Sequence, residues 1–437
     1  MSSQQVERGI AELYAMDPER ADASIFGRRV DAGRRGFLQR SGLAAMSVLL
    51  GSSIPFWRNM PGGLIPAALA DTAEPFVIPG KDGLRVLNDR PLNAETPAHL
   101  LDDRITPVER HFIRNNGFPP GAINASDWRL IIDGEVDQPL ELSIADMRRD
   151  FEVVTYALQL ECGGNGRAAF NPPARGNQWT VGAIGNSEWT GVRYRDLLRA
   201  AGIKDSAVYT GHYGADTHLS GQADKPPISR GIPIAKAMDP HTLVAFAMNG
   251  GPIHAMNGAP LRIVAPGWPG SCSQKWLNRI WVRKVIHDGA KMGGTSYRVP
   301  RYRVAPGQEV PEQHFRIIES MPVKSMITFP RSGIELSRGD STLVIRGHAW
   351  AGEAAVRAVD ISMDFGATWQ RATLEAPANK YSWQHWRAAL AFPAPGYYEL
   401  WSRAVDELGR MQPFAIDWNP KGYLNNSMHR IAVRVTG

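Results

Sequence analysis

A thiol lies on a glycine-rich turn near the middle of the chain, in Glu161-Cys162-Gly163-Gly164-Asn165-Gly166-Arg167, directly after the apolar run 153–160. Missing side chains at three positions let a large group approach the backbone, and Arg167 adds positive charge that favours a thiolate. A low-pKa, approachable thiolate suits a soft metal or a covalent reaction. A disulfide with Cys272, or a buried free thiol, explains the same residue as well. Nothing in the sequence ties a particular histidine to this loop, so a Cys–His nucleophile has no support. Cys162 and Cys272 are the only cysteines, which excludes CxxCH haem attachment, four-cysteine zinc ribbons and cysteine-held iron–sulfur clusters. His212, His218 and His254 fall into no HxH or HExxH pattern and read as structural groups.

The elements that must position this turn follow from periodicity. Strand-like runs occur at 128–132 and 261–264, and Tyr194, Leu197, Leu198 and Ala201 repeat at helical spacing before Gly202. The stretch 298–313 carries Pro, Arg and Gly without periodicity and reads as a linker. Beyond it alternation takes over: Val359, Ile361 and Met363 interleave with Asp360, Ser362 and Asp364, and Ile431, Val433 and Val435 with Arg430, Ala432 and Arg434. Short alternating strands without a helical stretch predict a β-sandwich. The expected class is α+β, a mixed α/β domain over 125–297 followed by the sandwich over 314–437, with 71–124 an N-terminal extension.

With 437 residues and 43% hydrophobic content the chain has enough material for two or three domains with real cores. The formal charge of +6 is scattered, without a run of like charges, and gives no support to nucleic-acid binding. Near the start, Arg34-Arg35-Gly36-Phe37-Leu38 precedes an apolar stretch, Leu43 to Leu50, and then Ala68-Leu69-Ala70, a small-x-small cleavage pattern. This predicts a twin-arginine signal over 1–70 and a periplasmic protein folded before export. The apolar stretch is too short for the roughly 20 residues of a spanning helix.

The Glu-Cys-Gly-Gly-Asn-Gly-Arg segment resembles the signature of the sulfite oxidase family of molybdenum enzymes. Further segments resemble the family in the same order: 112–116 (FIRNN), 247–250 (AMNG), 258–267 (GAPLRIVAPG) and 275–277 (KWL), then 362–369 (SMDFGATW) and 418–423 (WNPKGY), which resemble the family's C-terminal immunoglobulin-like dimerisation domain. The resemblance implies that Cys162 ligates molybdenum, the soft sulfur suiting that metal. It implies that Arg114, Arg167 and Arg430 hold a tetrahedral dianion through forked hydrogen bonds, with Tyr297 and Trp179 lining the pocket. Phe112, Asn115, Asp216, Arg262, Ser273, Gln274 and Lys275 match segments that hold the pterin and its phosphate. At two positions the family's usual histidine is replaced, by Asn116 and Asn257; asparagine hydrogen-bonds but carries no charge.

Taken together, the resemblance implies oxidation of sulfite to sulfate by oxygen-atom transfer on molybdenum–molybdopterin. The protein contributes orientation and charge. Without haem ligands in the chain, electrons leave singly to a periplasmic c-type cytochrome, and a homodimer is possible. The chain is similar both to bacterial periplasmic, haem-free sulfite dehydrogenases and to the molybdenum subunit of sulfane dehydrogenases, which act on carrier-bound sulfur. A methionine sulfoxide reductase-like enzyme is disfavoured by the C-terminal sandwich, and a non-catalytic binding protein by the intact Cys162 and arginines.

Overall fold

The computed structural model describes residues 77–337 and 342–436; the twin-arginine region lies outside them. The described residues form one compact unit, built largely of strands with three short α-helices. The expected mixed domain is strand-rich, with few helices. Its helices, Ile144–Asp150, Tyr194–Ala200 and Ile234–Ala237, span two turns or fewer. The periodic residues of the second are buried as the spacing predicts, with Tyr194, Leu197 and Leu198 turned inward. Ser143 begins the first helix with a reciprocal capping box to Asp146.

Two five-stranded sheets frame the catalytic half. One runs Gly251–Pro252, Leu243–Met248, Ile184–Arg193, Val153–Glu161, with Arg262–Val264 also paired to Leu243–Met248. The other runs Leu140–Leu142, Leu130–Gly134, Leu277–Arg283, Tyr209–Gly214, Gly231–Pro233, its second and third strands parallel. A three-stranded sheet of Arg85–Asp89, Leu92–Glu95 and Ile113–Arg114 covers the N-terminal side. Leu130, Ile132, Val244, Ile263, Ile280 and Val282 form the main core with the inner faces of all three helices.

The C-terminal half is a two-layer β-sandwich. Four strands (Lys324–Phe329, Thr342–Trp350, Gln384–Ala391, Thr373–Leu374) face five (Ile334–Leu336, His429–Val435, Gly396–Asp406, Val356–Ser362, Gln370–Arg371). Val359, Ile361, Ile431, Val433 and Val435 fill its core, as the alternation requires. The stretch read as a linker is pinned at its start, where Arg298–Pro300 pairs antiparallel with Phe315–Ile317.

Buried polar contacts lock the two halves together. Lys324 Nζ reaches Glu161 Oε1 at 2.5 Å, Tyr381 donates to Asp239 and accepts from Lys236, and Leu424 N donates to Gly163 O at 2.9 Å.

Candidate active site

The strand Val153–Glu161 ends on the glycine turn, and Cys162 N donates to Ala183 O at 2.9 Å. Asn165 ties the turn down by donating to Glu161 and Val181 while its Oδ1 accepts from Ala183 N. Gly166 has φ +91°, and a Cβ there would meet the Asn425 side chain at 2.9 Å. At Gly164 a Cβ would collide with the Arg167 guanidinium. The glycines thus admit the protein's own groups against the turn. Both cysteines are free and buried, and no disulfide joins them; Cys272 lies in the main core.

Cys162 opens onto a pocket whose walls include Phe112, Arg114, Asn116, Asp216, Asn257, Arg262, Ser273, Gln274, Lys275 and Tyr297. Asn115 lies behind this wall, where its Oδ1 accepts from the Lys275 ammonium. Sequence reasoning missed His111, Ser271 and Trp276 on the wall, and Lys81, Arg230, Lys291 and Tyr423 around it. Tyr423 lies in a segment attributed to the sandwich, and the lysines lie in loops without a distinctive local pattern.

The electrostatics are one-sided. Asp216 is the only acid on the wall. Among the described residues, Lys81, Arg114, Arg262, Lys275 and Lys291 have no ion-pair partner. Arg262 instead donates to the carbonyls of Asn257 and Ser273 at 2.6 and 3.2 Å, and burial lowers its pKa to about 9. Lys275 donates to Met256 O at 2.8 Å and stands over Trp276, its pKa pushed well down by burial and by neighbouring Arg262. Lys81 donates to Val108 O, His111 O and Asn257 Oδ1, and burial lowers its pKa to about 7. Burial raises Asp216 to about 6. Arg114 behaves differently: burial opposes its charge, but Tyr297, Cys162 and Tyr423 together hold it above its ordinary value, Cys162 also by a hydrogen bond. Arg114, not Arg167, is therefore the cation at the thiol.

Three of the expected residues are placed elsewhere. Arg167 is buried outside the pocket: Nε donates to Lys421 O at 2.8 Å, Nη1 to Asn177 O at 2.9 Å, and its plane stands 5.0 Å from the Tyr423 ring. Trp179 is fully buried in the core cluster that also holds Cys162 and Phe112, and it is not on the cavity wall. Arg430 is exposed on the strand His429–Val435. It is paired with Trp401 across the ladder and stands over the rings of Trp401 and Phe414, at 5.9 and 5.1 Å. Cross-strand neighbours share a face, and Arg430 lines a neighbouring cavity with Asn165 and Gly166, not the wall of the Cys162 pocket.

The comparisons with known proteins agree on the class. Residues 116–290 match the oxidoreductase molybdopterin binding domain and 315–436 the Mo-co oxidoreductase dimerisation domain. Sulfite oxidase of Gallus gallus is 32% identical over 388 residues, covering 84% of this chain and 81% of that one. Mitochondrial sulfite oxidase of Homo sapiens is 33% identical over 380 residues, or 81% and 66% of the two chains. The structure of the sulfane dehydrogenase SoxCD from Paracoccus pantotrophus superposes with TM-score 0.67 at 26% identity, covering 94% of this chain and 96% of that one. The fold and pocket define a molybdopterin-dependent oxidoreductase. Within that class, the chain belongs to the sulfite oxidase family.

The pocket fits molybdenum–molybdopterin. Ser271 Oγ, Gln274 Oε1 and Asp216 Oδ1 are buried on or beside the wall without hydrogen-bond partners. Orphaned polar atoms are costly unless a ligand pairs them. Uncompensated Arg262 and Lys275 suit an anionic phosphate, and Cys162 offers the soft donor.

Proposed function

We propose that the protein oxidises sulfite to sulfate and passes the electrons singly to an external c-type cytochrome. The observation that carries this reading is a cation-rich pocket opening on Cys162, with one acidic residue on its wall. When bound, molybdenum–molybdopterin supplies the two-electron oxidant and the transferred oxygen atom. In this reading Cys162 holds the metal, while Asp216, Asn257, Arg262, Ser273, Gln274 and Lys275 hold the pterin and its phosphate. Arg114 and Tyr297 orient the substrate, their side chains joined by a 3.2 Å hydrogen bond. Tyr297 stacks on Tyr423 at 5.6 Å, which fixes its ring, and Arg114 brings charge that burial keeps poorly screened. The dimerisation-domain match supports a homodimer. The motif at Arg34-Arg35 supports export to the periplasm, and its replacement by two lysines should stop export of active enzyme.

Metal analysis and a steady-state assay of sulfite against cytochrome c and ferricyanide test the reading. Molybdenum-loaded protein inert toward sulfite with both acceptors would overturn it. A second reading makes carrier-bound sulfane sulfur the substrate. It draws on the superposition with the sulfane dehydrogenase SoxCD over nearly the whole chain, and turnover of a sulfane carrier without sulfite turnover would favour it. Failure to bind molybdenum would favour a non-catalytic binding role.

A further inference from the structure

Asn116 Oδ1 is the meeting point of three donors. Lys291 Nζ stands at 2.6 Å, Arg114 Nη2 at 2.9 Å and Tyr297 Oη at 3.3 Å. An amide oxygen has two lone pairs, so three donors, two of them cationic, oversubscribe it. Neither cation has a carboxylate partner among the described residues, and Arg114, Asn116 and Tyr297 all line the Cys162 pocket. The loop holding Lys291 is itself fixed: Lys291 has φ +67°, and its carbonyl accepts from fully buried Arg230, whose guanidinium lies over the Tyr297 ring at 4.9 Å. Burial and the Arg114 charge push the Lys291 ammonium below its ordinary pKa, and Tyr297 and Asp216 oppose them. A small oxyanion entering beside Arg114 would take the surplus donors and neutralise both charges.

We infer that Lys291, acting with Arg114 across Asn116, supplies the second positive charge of the substrate subsite and sets its preference for a tetrahedral oxyanion dianion. This rests on the sulfite reading above. Arg430 is held outside the pocket and Arg167 is committed to backbone carbonyls, so Lys291 fills a place that neither of them takes. It also restores charge beside Asn116, where asparagine carries none.

The test uses the molybdenum-loaded enzyme with Lys291→Gln, which keeps a donor and removes the charge, and Lys291→Arg, which keeps both. Lys291→Gln should raise the KM for sulfite at least tenfold with kcat within about threefold. The inhibition constant of the product sulfate should rise in parallel, and its affinity measured by calorimetry should fall by the same factor. Lys291→Arg should recover most of both. A merely structural lysine would change molybdenum content and thermal midpoint without this split between KM and kcat. If wild type oxidises sulfite and binds sulfate but Lys291→Gln leaves both constants within twofold, the inference is overturned and the functional reading stands. If loaded wild type neither oxidises sulfite nor binds sulfate, the functional reading fails first. Should Lys291→Gln not load metal, Lys291→Met assayed for sulfate binding beside Lys291→Arg decides on the same thresholds.

Discussion

Replacing Lys324 by Met leaves a carboxylate stranded in the interior next to the metal-binding turn. Glu161 is fully buried and takes three bonds, from Lys324 Nζ at 2.5 Å, Trp350 Nε1 at 2.9 Å and Asn165 Nδ2 at 3.0 Å. Only the first partner is charged. Removing one member of a buried pair costs about 3–5 kcal/mol, because the remaining ion keeps its desolvation penalty. The two neutral donors that stay place the expected loss near the lower end, at about 3 kcal/mol. For a chain of this size, with about 2 °C of midpoint per kcal/mol, the thermal transition should drop by about 6 °C. Because Glu161 precedes Cys162 and Asn165 closes the turn, turnover should fall along with stability. The double variant Glu161→Gln with Lys324→Met removes both charges and should recover most of the loss. Differential scanning calorimetry of the single and double variants, with urea midpoints as a second probe, reads this directly. A loss under about 2 °C for Lys324→Met, or a double variant worse than the single, would refute the reasoning.

Three further outcomes are expected. Cys162→Ser should abolish turnover with an unchanged circular dichroism spectrum, since a hydroxyl is a poor substitute for the soft ligand; full activity in a molybdenum-loaded Ser variant would contradict the assignment. Arg430→Gln should leave sulfite kinetics within about twofold and cost no more than about 1 kcal/mol, the worth of an exposed cation–π contact; a tenfold rise in KM would return Arg430 to the site. Burial lowers His212 to about 3 and His429 to about 4. A base depressed on folding stays neutral in the native state, so its stability is complete above the unfolded value of about 6.5 and is lost as pH falls toward 4, by up to about 1.4 kcal/mol per unit for each group. Urea midpoints equal at pH 7.5 and pH 5 would contradict this.

Local chemistry made much of this protein legible from the chain alone. The alternation at 431, 433 and 435 follows from the two-residue period of a strand and needs no neighbours to be read. The helix at 194–200 is equally local, as is the glycine turn bearing Cys162. Pocket residues in contiguous segments, such as 112–116 and 273–275, came out together because each segment crosses the cavity once. What only the tertiary structure decided is where long, charged side chains end. Arg430 alternates correctly yet is captured by Trp401, its partner on the neighbouring strand, and by Phe414 from a loop. Arg167 directly follows the glycine turn but is drawn to Lys421 O, 254 positions away. Lys81 and Lys291 arrive from loops 176 and 175 positions from the asparagines they bond. A flexible cation takes its partner from whatever the fold brings within reach, and sequence spacing does not encode that distance.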